Sequence, residues 1–146
     1  MQRIHISLTV ADLDQSINFY TTLLGHAPTT QKPDYAKWML DDPRVNLSLS
    51  THGTDYGFDH LGLQVEDAAE FETVSDRATR AADDVFEQPD VTCCYARSSK
   101  AWVRDPDGVA WESFLSHSQT TGYSDSDIER AGGAVPAPPT HSNGCC

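Results

Sequence analysis

The chain contains the same short phrase twice. His5-Ile6-Ser7-Leu8-Thr9-Val10-Ala11-Asp12 and His60-Leu61-Gly62-Leu63-Gln64-Val65-Glu66-Asp67 both read H-x-x-L-x-V-x-D, and both run into a helical pattern. Repetition of this kind means one supersecondary unit used twice. The ends of the units match as well. Asp42-Pro43 precedes Val45-Asn46-Leu47-Ser48, and Asp105-Pro106 precedes Val109-Ala110-Trp111-Glu112 with one inserted residue. A fold for this chain must place two copies of one motif about a pseudo-twofold axis.

Local patterning fills in each copy. Residues 3–10 alternate apolar and polar side chains, as in a half-buried strand. Asp12 supplies a helix N-cap, and Ile17, Phe19, Tyr20, Leu23 and Leu24 recur at helical spacing until Gly25 stops the helix. Strands follow over 27–31, 35–40 and 45–50, with turns at Lys32-Pro33-Asp34 and Asp41-Asp42-Pro43. In the second copy a strand over 59–65 leads to a helix capped by Asp67 and running to about residue 82. Its apolar stripe is thinner, with Phe71, Val74 and Ala78. Strands over 85–88, 92–97, 100–104 and 109–115 complete it. Two βαβββ units are implied, an α+β architecture with curved sheets around a shared cleft. This domain covers residues 1–117, with repeats of about 1–52 and 57–117. Residues 118–146 are rich in Ser, Gly and Pro, predict a flexible tail, and end in Cys145-Cys146.

Composition limits the function classes. At 146 residues the chain is one ordinary domain, and 38% hydrophobic with 22% charged residues is a globular balance. No apolar run has the length to cross a bilayer and no signal-peptide pattern opens the chain, so a cytoplasmic protein without membrane contact is expected. Acidic residues outnumber basic ones 22 to 10, for a net charge of −12. Such a surface repels phosphate backbones, which argues against a nucleic-acid partner.

Three residues stand out as metal ligands. His5 and His60 occupy equivalent places in the two copies, so a pseudo-twofold axis lets them face each other. Glu112 shares a strand face with Ala110 and Phe114, where an uncompensated carboxylate would be costly to bury. A lone histidine at a strand start reads as a surface residue; two in register with a carboxylate read as a centre. The set suits Fe(II), Mn(II), Zn(II) or Ni(II). His26, His52, His117 and His141 read as structural or solvated.

The cysteines form two adjacent pairs, Cys93-Cys94 and Cys145-Cys146. A disulfide scaffold spaces its cysteines to staple distant segments, whereas neighbouring thiols suit soft metals or redox chemistry. In a strand, Cys93 and Cys94 would point to opposite faces, so gripping one atom requires a loop or bulge. Arg97 or Lys100 nearby would raise the thiolate fraction.

The opening Ile4-His5-Ile6-Ser7-Leu8-Thr9-Val10-Ala11-Asp12 through Phe19-Tyr20 and Leu24-Gly25, with Asp105-Pro106-Asp107-Gly108 and Glu112, resembles the vicinal oxygen chelate superfamily over about residues 3–115. That superfamily includes glyoxalase I, extradiol dioxygenases, and fosfomycin and bleomycin resistance proteins. Glyoxalase I has a further Glu ligand where this chain has Ser48, leaving three protein ligands and open positions, as in non-haem Fe(II) oxygenases. The run Thr92-Cys93-Cys94-Tyr95-Ala96, with Lys100-Ala101-Trp102-Val103 and Tyr35-Ala36, is similar to the bacterial C–As lyases, organoarsenical dioxygenases once described as cadmium-induced proteins. The resemblance implies that His5, His60 and Glu112 hold Fe(II), for which Ni, Zn or Mn can substitute. It implies that Cys93 and Cys94 hold trivalent arsenic, and that Lys100 positions a loop or substrate. The reaction implied is dioxygen-dependent cleavage of the C–As bond of methylarsenite or trivalent aromatic arsenicals to give arsenite. In that family the first ligand is His or Gln. Cys145-Cys146 would be accessory thiols. The alternatives are another enzyme of the superfamily (glyoxalase, fosfomycin-type thiol transferase or extradiol dioxygenase) and a non-catalytic cadmium- or arsenite-binding protein. The repeats can pair within one chain or between two in a homodimer.

Overall fold

The computed structural model describes residues 1–82 and 84–120. The first copy comprises β1 (Arg3–Thr9), α1 (Leu13–Leu24), β2 (Thr30–Lys32), β3 (Tyr35–Asp41) and β4 (Arg44–Ser50). The second comprises β5 (Gly57–Val65), α2 (Ala68–Ala81), β6 (Phe86–Cys93), β7 (Ala96–Arg104) and β8 (Ala110–Gln119). β8 continues two residues past the expected boundary at 117. The rest of the expected tail, with His141, Cys145 and Cys146, lies outside the described residues.

All eight strands join one mixed sheet in the order β2-β3-β4-β1-β5-β8-β7-β6. Within each copy the first strand lies parallel to the last: β1 beside β4, and β5 beside β8. The antiparallel pair β1–β5 joins the copies at the middle. This is the α+β pairing of two βαβββ units that the repeat requires.

The second copy departs from its expected strand pattern in one place. Two strands, not three, lie between α2 and β8. The expected strand at 92–97 is cut by a turn, because Cys94 and Tyr95 have φ of 53° and 61°. Two left-handed residues between Cys93 and Ala96, which pair directly, are what a two-residue type I′ hairpin requires. The expected strand at 85–88 instead joins Thr92 and Cys93 in β6 across a register shift between Gln88 and Val91. Pro89 has no N–H for the ladder and Asp90 takes φ 58°, so the chain bulges there.

Both helices start at the expected caps. Asp12 Oδ1 accepts from Gln15 N at 2.9 Å, and Asp67 Oδ1 accepts from Glu70 N at 2.8 Å. Gly25 closes α1 at φ 70°, a left-handed conformation that glycine adopts without penalty. Leu13 and Ile17 pack on Ala36, Trp38, Leu40, Leu47 and Leu49 to form the core of the first copy. The stripe is narrower than its spacing predicts: Phe19 and Leu23 are exposed. α2 buries Val74 and Ala78 and lies against β5, β7 and β8. Among the described residues no helix is long and apolar enough to cross a membrane.

Burial along β1 inverts a simple amphipathic strand. Arg3, His5, Ser7 and Thr9 are the buried side chains, whereas Ile4 is exposed and Ile6 and Leu8 are only partly covered. The apolar face meets α1, and the polar face turns inward. Curvature explains this. β3 and β7 stand five places apart in the sheet, about 24 Å if it were flat. Residues of both line one cleft, and the Tyr95 hydroxyl after β6 donates to Asp34 Oδ1 before β3 at 2.5 Å. The sheet therefore curls, with the helices outside and a polar concave face inside.

The centre of the curl is tight. β5 runs between β1 and β8, so Gly62 has His5 on one side and Glu112 on the other. A Cβ on Gly62 would lie 2.5 Å from the Glu112 carbonyl oxygen and 3.3 Å from His5 Cβ. Gly62→Ala is expected to cost about 1–3 kcal/mol in urea unfolding, a typical overpacking penalty. Unchanged stability would show that β8 moves aside freely.

Candidate metal centre and thiol pair

The register of the three central strands assembles the triad. His60 lies opposite Ser7 and Gly62 opposite both His5 and Glu112, so all three side chains project from one concave patch. His5 Nε2 is 3.8 Å and His60 Nε2 3.5 Å from Glu112 Oε2. One donor atom from each residue falls within 4.8 Å of the others. The three side chains are only 2–4% exposed.

Each imidazole is held from behind. His5 Nδ1 is 3.1 Å from the Asn46 carbonyl oxygen, and Asn46 lies directly opposite His5 in the β1–β4 ladder. A carbonyl only accepts, so Nδ1 carries the proton and Nε2 presents its lone pair. His60 Nδ1 contacts Asp59 Oδ2 at 3.1 Å. Backing groups of this kind set the orientation of metal-ligating histidines. Burial pushes the His5 pKa down to about 4, so the ring is neutral at ordinary pH. Burial opposes charge on His60 too, but the Asp59 and Glu112 carboxylates outweigh it and raise its pKa. Metal binding at His60 Nε2 is therefore coupled to proton release.

Burial disfavours the charge on Glu112, yet its pKa lies well below the usual range because Lys100, His60 and His5 surround it. Lys100 Nζ is 2.6 Å from Oε1, and both side chains are buried. The carboxylate is thus divided: Oε1 faces the ammonium and Oε2 faces the two imidazoles. Lys100, expected to position a loop or substrate, forms an ion pair with a candidate ligand.

The donor set fits a divalent metal. His60 Nε2 is buried with no hydrogen bond among the described residues, a cost that coordination would remove. Ser48 is equivalent to Glu112 by register, since Ser7 pairs with Ser48 as Gly62 pairs with Glu112. Its hydroxyl donates to Ser7 Oγ at 3.3 Å, so the first copy contributes one candidate ligand and the second two.

The Cys93-Cys94 turn stands at the rim of the same cleft. Because Cys94 is left-handed, both sulfurs fall on one side, 3.4 Å apart. They are buried against Tyr35 and Tyr95, a more aromatic setting than the sequence implies. Arg97 turns away to an exposed ion pair with Asp90. Tyr95 is anchored by its hydroxyl to Asp34, which also contacts His52 Nε2 at 2.6 Å. Asp34 therefore ties the thiol turn to the first copy, a link invisible in the sequence because the residues are 61 apart. His117 Nε2 contacts the Ser99 hydroxyl at 2.8 Å, and the His26 carbonyl accepts from the Trp38 indole at 2.9 Å. One cleft is lined by His5, Glu112, Cys93, Cys94, Tyr35 and Lys37 among others.

Lys100→Met would leave the Glu112 carboxylate without its ammonium. Loss of one partner of a buried pair costs about 3–5 kcal/mol. Stability of the metal-free protein should fall by that order, and a divalent metal should restore more of it than in the parent chain. Thermal unfolding with and without Mn(II) checks this; equal metal-induced shifts in both proteins would refute it.

Residues 2–113 match the family model described as the Glyoxalase/Bleomycin resistance protein/Dioxygenase superfamily. Among curated relatives, a trivalent organoarsenical cleaving enzyme from Bacillus sp. (strain MD1) is 34% identical, covering 100% of this chain and 99% of its own. One of the same name from Thermomonospora curvata is 37% identical over 79% of this chain and 78% of its own. The cadmium-induced protein CadI of Mycobacterium bovis is 34% identical over 84% and 82%. In fold, homoprotocatechuate 2,3-dioxygenase from Brevibacterium fuscum superposes with a TM-score of 0.60 at 19% identity, covering 81% of this chain and 37% of that one. The chain belongs to the glyoxalase/bleomycin resistance protein/dioxygenase superfamily, among relatives named for cleaving trivalent organoarsenicals.

Proposed function

We propose that this chain is an Fe(II)-dependent dioxygenase that cleaves the carbon–arsenic bond of trivalent organoarsenicals and releases arsenite. The observation that carries this reading is the thiol pair: two sulfurs 3.4 Å apart share one cleft with His5 and Glu112 of the buried triad. The relatives' names point the same way.

The residues divide the work. Trivalent arsenic is soft and thiophilic, and Cys93 and Cys94, once a thiol reductant holds both as thiols, displace the two hydroxyl groups of R–As(OH)2 as two waters. The arsenic is then held by two As–S bonds at the rim of the cleft, which confers proximity rather than reactivity. His5, His60 and Glu112 would hold the iron, which supplies dioxygen binding and activation when bound. Lys100 and the two backing groups, Asn46 and Asp59, keep the ligand atoms aimed. Tyr35, packed on Cys93, lines the same cleft. For methylarsenite, atoms balance with dioxygen alone: CH3As(OH)2 and O2 give As(OH)3 and formaldehyde, so no external reductant is required.

Three protein ligands, rather than four, favour this reading over a glyoxalase. Ser48 stands where a fourth carboxylate would be, leaving coordination positions for dioxygen.

The test is anaerobic reconstitution with Fe(II) under a thiol reductant, then methylarsenite and air, with arsenic speciation followed in time. Arsenite release that needs both iron and oxygen is expected. Stoichiometric As(III) binding without release would mark a sequestering protein instead. Cys93→Ser and Cys94→Ser should each weaken arsenical binding by at least about a hundredfold, or about 2.7 kcal/mol, while iron stays bound. Glu112→Ala should do the reverse, losing iron and keeping the arsenical. Tight arsenical binding in both serine variants would refute the clamp.

A further inference from the structure

The cleft holds two lysines in different electrostatic situations. Lys100 is paired with Glu112. Lys37 is not compensated in this way. β3 sends Ala36, Trp38 and Leu40 into the α1 core, so Tyr35 and Lys37 project to the concave face, and both line the cleft. The Lys37 backbone is anchored: its carbonyl accepts from Thr29 N at 2.7 Å and from Thr29 Oγ1 at 2.8 Å. Among the described residues its ammonium has no ion pair, hydrogen bond or ring contact. Burial lowers its pKa, and no neighbouring charge contributes. A partly buried ammonium in that state is stabilised by any anion that reaches it.

Position then specifies what such an anion is attached to. Tyr35 packs on Cys93, and Lys37 follows two residues along the same strand, about 7 Å away by strand rise. That is on the order of the reach from an arsenic atom across an aromatic ring to the oxygens of a para carboxylate. The rest of the chain is strongly acidic, with a net charge of −12, so it repels anions in general. A lone uncompensated cation inside the cleft is a selective feature on that background.

We propose that Lys37 is a specificity residue that pairs with an anionic oxygen, carboxylate or phenolate, on the organic arm of the substrate. The preferred substrate is then an aromatic arsenical held at both ends, arsenic on the thiol pair and the anion on Lys37. The inference rests on the organoarsenical reading of the thiol pair.

The probes are phenylarsenite, which is uncharged, and 4-carboxyphenylarsenite. Dissociation constants are measured by calorimetry on the iron-free protein, and kcat and KM on the iron-loaded enzyme. The parent chain should favour the carboxylated probe by about tenfold in Kd and KM, with kcat little changed. Lys37→Met should bring that ratio to about one while leaving phenylarsenite binding intact, and Lys37→Arg should keep most of the preference. Intact phenylarsenite binding also shows that the variant is folded. Equal affinity for both probes in the parent chain, or an unchanged ratio in Lys37→Met, overturns the inference. Charge-dependent binding without C–As cleavage would sustain it and sink the dioxygenase reading. Cleavage without charge preference would do the opposite, and binding of neither probe would sink both.

Discussion

The antiparallel pairing of β1 with β5 is the constraint on which the molecule depends. Among the described strand pairings it is the one that joins the two copies, and it sits at the centre of the sheet rather than at an edge. Parallel neighbours on each side, β4 and β8, carry the last strand of each copy into the same middle layer. A one-residue slip would send His5 or His60 to the opposite face, since side-chain period in a strand is two. Gly62 helps lock that register, because only a residue without a side chain fits between His5 and the Glu112 backbone.

A polar interior follows from this arrangement. The concave face buries Arg3, His5, Ser7, Thr9, Asn46, Ser48, Lys100 and Glu112, a set that no ordinary hydrophobic core would tolerate. Several of its members have specific partners. Arg3 reaches the Leu40 carbonyl and Asp41, Asn46 holds His5, and Lys100 holds Glu112. The apolar contribution comes from the other face of the sheet, where Trp38, Leu47 and Leu49 meet α1. Stability and chemistry are therefore assigned to opposite faces of the same strands.

The thiol pair depends on strain held by distant contacts. Two consecutive non-glycine residues in the left-handed region are individually unfavourable by about 1–2 kcal/mol. The surrounding structure holds them there: Tyr95 is tied to Asp34, its ring lies near Tyr35, and Lys32 sits over its face. All three partners come from the first copy. The second copy carries the sulfurs, and the first copy holds the turn that presents them together.

Repeat, helix caps and the candidate ligands were legible in the sequence, because each rests on local pattern. H-x-x-L-x-V-x-D twice over specifies two equivalent strand–helix starts, and Asp12, Gly25 and Asp67 mark helix ends through bonds that span only a few residues. Alternation marks β1 as half-buried but does not say which of its faces curls inward. The Cys94-Tyr95 turn was hidden within a run of strand-like residues, with no Gly or Asn to mark it. Asn46 behind His5, Lys100 on Glu112, Asp34 on Tyr95 and the uncompensated Lys37 are decided by strands that meet only after the sheet curls. Their sequence separations range from 12 residues for Lys100 and Glu112 to 61 for Asp34 and Tyr95. Sequence by itself determined what units exist and which candidate ligands they carry; tertiary structure decided which charges are paired, because pairing is a property of the curved surface and not of the chain.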